Sequence, residues 1–310
     1  MSIHWYPGHM HKARKEMIKA LPTVDLVIEI LDARIPHSSE NPVIASLRTK
    51  SGYTKPCIKV LNKTDLADPV MTQQWIDTFK EQHNVTVIPV TTTQPGQVKQ
   101  LIAACRELFP DKKDTPIYAM IAGIPNVGKS TLINILAGRT VAKTGNEAAV
   151  TKHQQRIDLG NGIVLLDTPG ILWPKIDNEN SSYRLATLGS IKDTAMNYDD
   201  VAFFLAEHLI TAYPNLLRER YDINQDMPDT PLEFLELIGV RRGCLRKKGL
   251  VDIDKISTIL VNELRNGTLG HISLETPDMI AQEMIEVERI KKEKAEKKAA
   301  RKKKFKDSKQ

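Results

Sequence analysis

Cysteine is scarce in this sequence, and the three present do not form a pattern. Cys57, Cys105 and Cys244 are odd in number, far apart and without CxxC spacing. A disulfide framework and a zinc site are therefore excluded, and a reducing, cytoplasmic setting is expected. Long apolar runs are missing too. The most apolar stretches, 26–31 and 163–166, are bounded by aspartates, well short of the roughly 18–20 apolar residues that a membrane helix needs. The first residues lack the apolar core of a signal peptide, so export and membrane insertion are both disfavoured.

What is present is ample core material. Hydrophobic residues make up 41% of the 310, enough to exclude global disorder, and the length exceeds a comfortable single core, which suggests two domains. The net charge is +6, but it is unevenly placed. Residues 285–310 carry twelve basic and five acidic side chains, leaving residues 1–284 at −1. A neutral body therefore bears a +7 tail. Such a Lys-rich tract, interrupted by Ala and Glu, reads either as a polyanion-binding arm, helical or disordered, or as a solubilising extension.

Along the first two-thirds, short β-branched runs alternate with amphipathic stretches, the signature of βα units on a mainly parallel sheet. Strands are expected at 26–31, 57–61, 85–90, 117–122, 155–158 and 163–166, with helices near 10–20, 69–83, 97–109 and 129–137. From about Ser181 to Leu264 the spacing turns helical. The expected division is an α/β domain over 1–178, an all-helical domain over 179–284, and the basic tail over 285–310.

Gly123-Ile124-Pro125-Asn126-Val127-Gly128-Lys129-Ser130 follows an expected strand and opens an expected helix, the setting of a GxxxxGK[ST] phosphate loop. Its glycines let backbone N–H groups curl around an anion at a helix N-terminus. Gly123, Asn126, Val127, Gly128, Lys129, Ser130 and Thr131 form the expected nucleotide-binding set. Lys129 would reach the β- and γ-phosphates and Ser130 would ligate magnesium.

Asn62-Lys63-Thr64-Asp65 ends the strand at 57–61. A carboxylate there can accept from the ring N–H and the exocyclic amine of guanine, a donor pair that adenine does not offer, which makes Asp65 the base selector. Asn62 would hold the N7/O6 side and tie the two loops together, with the Lys63 stem along the base plane. Asp167-Thr168-Pro169-Gly170 supplies a strand-end aspartate for magnesium and a Gly170 N–H for the γ-phosphate. Thr151 is the candidate second magnesium hydroxyl, although a lone loop Thr also serves local hydrogen bonding. Thr91-Thr92 ends another strand, where a loop touching the guanine oxygen belongs.

The order of these motifs is inverted relative to an ordinary GTPase: the guanine-reading segment precedes the phosphate loop by about 60 residues. With Asp32-Ala33-Arg34, this resembles the circularly permuted GTPases. Trp5-Tyr6-Pro7-Gly8-His9-Met10, Asn266-Gly267-Thr268-Leu269-Gly270 and Leu274-Glu275-Thr276-Pro277 narrow the resemblance to the ribosome biogenesis GTPase A (YlqF-type) family. The resemblance implies a circularly permuted P-loop GTPase domain followed by a small helical domain. It also implies GTP/GDP and Mg2+ as ligands, and a monomer acting on the large ribosomal subunit precursor in its late maturation. The basic tail would then contact ribosomal RNA. Two departures stand out: Glu147-Ala148-Ala149-Val150-Thr151 replaces the family's more usual Pro-Gly-Val-Thr, and the long tail is not a general family feature.

Where many GTPases place a water-orienting Gln, this chain has Ile171, which implies slow unaided hydrolysis stimulated by ribosomal particles. Asn126 occupies the position that helps bind potassium in similar GTPases, or else caps its loop. His9 either reaches the attacking water once a partner orders the N-terminal segment, or packs beside Trp5 and Tyr6. Two rivals are a P-loop phosphotransferase, which leaves Asp65 without a task, and a GTP-binding RNA-associated protein with little catalytic role.

Overall fold

The computed structural model describes residues 5–49, 54–142 and 155–307. Helix α1 (Gly8–Ala20) leads into β1 (Leu26–Asp32), then two short helices, α2 (Pro36–Ser39) and α3 (Pro42–Arg48), each with proline in its first turn. The fixed φ of proline suits that position. Next come β2 (Cys57–Asn62), α4 (Pro69–Lys80), β3 (Val85–Pro89), α5 (Pro95–Glu107), β4 (Ile117–Gly123), α6 (Lys129–Ala137), β5 (Gln155–Asp158) and β6 (Ile163–Asp167). The six strands lie in the order β3-β2-β1-β4-β6-β5. All neighbours are parallel except β5, which runs antiparallel to β6.

All six expected strands form, with boundaries within one residue. Helix α4 stops at Lys80, three residues short of expectation, because the chain turns back through Gln82 and Asn84 takes a positive φ of 55°. Helix α5 starts and ends two residues early, with Pro95 setting its first turn. Strand order reverses between β1 and β4, and β1, β2, β4 and β6 end in Asp32, Asn62, Gly123 and Asp167 along one edge of the sheet. In open α/β sheets that reversal opens a crevice for ligands.

The helical region comprises α7 (Glu179–Thr187), α8 (Tyr198–Ala212), α9 (Pro214–Tyr221), α10 (Pro231–Arg241) and α11 (Ile253–Arg265). Helix α8 is its axle: Val201, Ala202, Leu205, Ala206 and Leu209 are fully buried, and Ile256, Leu260 and Leu264 of α11 are buried in the same hydrophobic core. Helix α10 packs through Phe234, Leu235 and Ile238, and approaches so closely that a Cβ on Gly239 would lie 2.4 Å from Val251 Cγ1. One hydrophobic core runs from α1 through the sheet into these helices.

The chain then returns to the sheet. The Ile272 N–H donates to the Leu66 carbonyl and the Leu274 N–H to that of Arg34, so 272–276 lies along the ends of β1 and β2. Trp75 Nε1 donates to the Glu275 carbonyl at 3.1 Å. Helix α12 (Pro277–Asp307) follows, 31 residues in one piece and continuous through position 285. Ile280 and Met284 pack in a second hydrophobic cluster with Trp75, Phe79 and Leu61. Among the described residues no helix is long and apolar enough to cross a membrane.

Candidate functional site

The sheet edge brings together two of the motifs most separated in sequence. Asn62, at the end of β2, donates its side-chain amide to the Val127 carbonyl of the phosphate loop at 2.7 Å. Gly128, between the loop and α6, has φ +93°, and a Cβ there would lie 2.4 Å from Asn62 Nδ2. Glycine is required twice over, for its dihedral and for the approach of Asn62. Gly123 is similarly constrained, since its Cβ would lie 2.8 Å from the Ile30 carbonyl oxygen.

Lys63 makes a second tie. With φ +63°, it sends its ammonium to the Asn126 carbonyl at 2.8 Å and to Asp32 Oδ2 at 2.9 Å. Thr64 donates through its hydroxyl to the Val90 carbonyl at 3.1 Å, binding the third loop to the second. In that third loop Thr91 is buried, its N–H held by Gln97 and its hydroxyl paired with Thr93, while Thr92 is half-buried. Asp65 stands exposed at the mouth, and among the described residues its carboxylate accepts no hydrogen bond.

Lys129 opens α6, whose first turn holds no acidic side chain. It is only 6% exposed and its ammonium pairs with the Asp167 carboxylate at the end of β6. Burial pulls the Lys129 ammonium below its ordinary pKa and the Asp167 carboxyl above its own, while their mutual attraction opposes both shifts. Ser130 is half-buried beside Lys129 and Thr131 exposed. Gly170 lies against the loop, its Cβ position 3.1 Å from Pro125 Cα, and the neighbouring Ile171 N–H donates to the Gly123 carbonyl at 3.3 Å. The Ile171 side chain is buried in the core, so it offers nothing polar to a water. Thr151 lies outside the described residues. His9 is exposed in the first turn of α1, edge-on to Trp5 with ring centroids 6.4 Å apart.

Sequence reasoning noted Asp32-Ala33-Arg34 without a task for it. Asp32 is buried and takes a bidentate pair from Arg34, both contacts at 2.9 Å, besides the Lys63 ammonium. Burial alone would raise its pKa, but Arg34 and Lys63 outweigh that and hold it well below the carboxylate range. The same Arg34 donates to the carbonyls of Leu264 and Arg265 at the end of α11, each at 3.3 Å. Asn126 likewise reaches out of the α/β layer, donating to the Gly189 carbonyl at 2.6 Å. The available signal was an Arg two residues past a buried strand-end Asp.

The family model for the 50S ribosome-binding GTPase matches residues 118–232. The ribosome biogenesis GTPase A of Priestia megaterium is 44% identical over 292 residues, covering 91% of this chain and 99% of the relative. The chain belongs to the ribosome biogenesis GTPase A family. The family's Thermotoga maritima member is 31% identical, covering 90% of this chain and 96% of its own. Among solved structures, GDP-bound TM YlqF matches with a TM-score of 0.60 at 27% identity, over 85% of this chain and 99% of that one. GNP-bound YlqF from T. maritima matches at 0.59 and 28%, over 86% and 99%.

As a member of the ribosome biogenesis GTPase A family, the chain is a GTPase of ribosome biogenesis, carrying the circularly permuted domain that its motif order implies. The strand that ends in the Asn62–Asp65 loop comes second in sequence and the one that ends in the phosphate loop fourth, yet only β1 separates them in the sheet. Permutation moved the chain ends and left the site's neighbours in place.

Proposed function

We propose that this GTPase acts in late maturation of the large ribosomal subunit, binding the precursor particle in one nucleotide state and leaving it in the other. The observation that supports the reading most is the Asn62–Val127 hydrogen bond, which sets base-reading and phosphate-holding loops in one rigid frame. In this reading Asp65 accepts the guanine donor pair, Asn62 gives its second amide hydrogen to the base, and Thr91 and Thr92 border it. Lys129 would leave Asp167 for the phosphate oxygens, freeing that carboxylate to hold Mg2+ together with the Ser130 hydroxyl. When bound, the metal neutralises charge on the phosphates. Gly123, Val127, Gly128 and Thr131 line the phosphates, and the Gly170 N–H, already pressed on the phosphate loop, reads the last of them.

Ile171 cannot orient a water, so turnover by the isolated chain is slow and the particle supplies the missing order. His9, in the first turn of α1, is the catalytic candidate for that step, Thr151 a second magnesium hydroxyl, and Asn126 a potassium ligand through its side-chain oxygen. The segment after Gly170 runs directly into the helical region, which therefore carries nucleotide state outward. The tail adds ribosomal RNA affinity, and the protein works as a cytoplasmic monomer.

GTP turnover with and without large-subunit precursors, in potassium and in sodium, tests the catalytic reading, and stimulation by the particle is expected. Turnover that ignores the particle favours the GTP-binding RNA-associated alternative. Cosedimentation in GTP analogue and in GDP across a salt series, with and without residues 285–310, tests the docking. Losing the tail should shallow the salt slope by roughly 0.7–0.9 per phosphate contact.

A further inference from the structure

Two helix C-termini in the helical region end in the same way and are held in the same way. Helix α7 closes with Gly189 at φ +74°, its N–H on the Ala186 carbonyl at 3.0 Å and the Ser190 N–H on that of Leu185 at 2.9 Å. Helix α11 closes with Gly267 at φ +80°, its N–H on Leu264 and the Thr268 N–H on Glu263. Both are Schellman closures, in which the Ala186 and Leu264 carbonyls accept one turn N–H each and keep a second lone pair, while the Thr187 and Arg265 carbonyls stay outside the closure, so each terminus can still take a cation. A guanidinium sits on each. Arg265 donates through Nε to the Thr187 carbonyl at 2.7 Å and through Nη2 to that of Ala186 at 2.8 Å. Arg34 takes the carbonyls of Leu264 and Arg265.

These contacts close a ring that passes through the nucleotide loops. Lys63 bonds Asn126, Asn126 bonds Gly189, Gly189 belongs to the turn that Arg265 holds, the Arg265 carbonyl accepts from Arg34, Arg34 bonds Asp32, and Asp32 returns to Lys63. Arg265 packs directly beneath the accepting residue, its Cζ only 3.5 Å from where a Gly189 Cβ would stand.

We propose that Arg265 is a positioning residue for the nucleotide site: by fixing the α7 terminal turn it sets where the Gly189 carbonyl stands, and so where Asn126 of the phosphate loop is held. It touches no nucleotide itself. The proposal deepens the reading of 123–130 as the phosphate loop and rests on it.

The test is a double-mutant cycle on the full-length chain without ribosomal particles, reading release of a fluorescent GDP. Asn126→Ala and Arg265→Ala should each speed release by up to roughly tenfold, the scale of one hydrogen bond. The double variant should release no faster than the faster single, because both act on one link. Arg265→Lys, which keeps the charge but loses the fork that grips two carbonyls, should release like Arg265→Ala. It also serves as the cycle partner should Arg265→Ala fail to fold, as judged by thermal melting. Tyr198→Phe removes a different Arg265 partner and should leave release unchanged. Multiplying effects in the double variant, or GDP release unmoved by either Arg265 variant, overturn the positioning role while leaving the site reading intact. Release unmoved by Asn126→Ala likewise overturns the positioning role, whereas a wild-type chain that fails to hold GDP overturns the site reading.

Discussion

Gly128 and Asn62 are packed so tightly that even one methyl group between them would lie 2.4 Å from the Asn62 amide nitrogen. Gly128→Ala should therefore disturb both loops at once, through the contact and through the +93° φ. Affinity for GDP should fall by about 100-fold or more, roughly 2.7 kcal/mol, and the melting temperature should fall as well, because Asn62 is buried and a side chain at this φ is strained. Equilibrium titration with a fluorescent nucleotide, paired with a thermal melt, measures both.

Asp65 is exposed and is the proposed guanine selector. Asp65→Asn replaces one acceptor oxygen with a donor, so the guanine amine meets an N–H while xanthine presents an oxygen. GTP affinity should drop by about 10- to 100-fold, the scale of a charge-assisted pair at 1.5–3 kcal/mol, and xanthosine triphosphate should become the better ligand. Competition between the two nucleotides reads the switch; unchanged preference removes Asp65 from the base site.

His9 is exposed and edge-on to Trp5. If it acts on the water, His9→Ala should lower particle-stimulated turnover by roughly 100-fold, a modest general-base contribution, at nearly constant GTP affinity. Stimulated turnover at the wild-type rate would exclude the catalytic role and leave packing against Trp5.

Glu29 is buried in the middle of β1, accepting the Asn41 N–H at 2.9 Å. Burial, reinforced by Glu40 and only partly offset by Lys59, pushes its pKa up to about 7. A folded-state pKa above the unfolded value means that the native state holds the proton longer. This contribution to stability is complete below about pH 4.5 and is lost as pH rises to about 7. Glu29→Gln keeps an acceptor and removes the charge. It should match wild type near pH 4.5 and exceed it by roughly 2–3 kcal/mol at pH 8, as measured by urea unfolding at both pH values.

Arg184 is the buried cation that joins the two ends of the helical region. It donates to Glu283 of α12 at 2.6 and 2.8 Å and to the Leu274 carbonyl, and lies 3.7 Å from the fully buried Glu275. Glu275 in turn accepts from the N–H and hydroxyl of Ser38 in α2. Arg184→Leu strands Glu275 without its cation and should cost about 3–5 kcal/mol. Replacing Arg184 and Glu275 together by apolar residues should recover part of that loss.

The strands and the four strand-end loops were legible because each pairs a β-branched run with a turn of distinctive residue types. The helices α2 and α3 were not, since four and seven residues are too short to show a period, although Pro36 and Pro42 mark their starts. The segment 181–264 read as helical but not as five helices. What sequence could not supply was the partner of each polar group. Asp32 and Arg34 are two residues apart, but the carbonyls that Arg34 holds lie 230 residues away. Nothing in Gly189 announces that its carbonyl accepts from Asn126.

Helix α12 has a consequence for how the basic charge is used. At 1.5 Å per residue its 31 residues extend about 46 Å, and its first turns are bolted to the body through Ile280 and Met284. The tail's backbone is thus helical through Asp307, a rod instead of a string. A rod has a fixed bearing, so it can lie along one groove or strut of a polyanion and miss another at equal distance. If the tail binds polyanions as proposed, a scrambled tail of identical composition that lost its helix would keep the attraction and lose the aim.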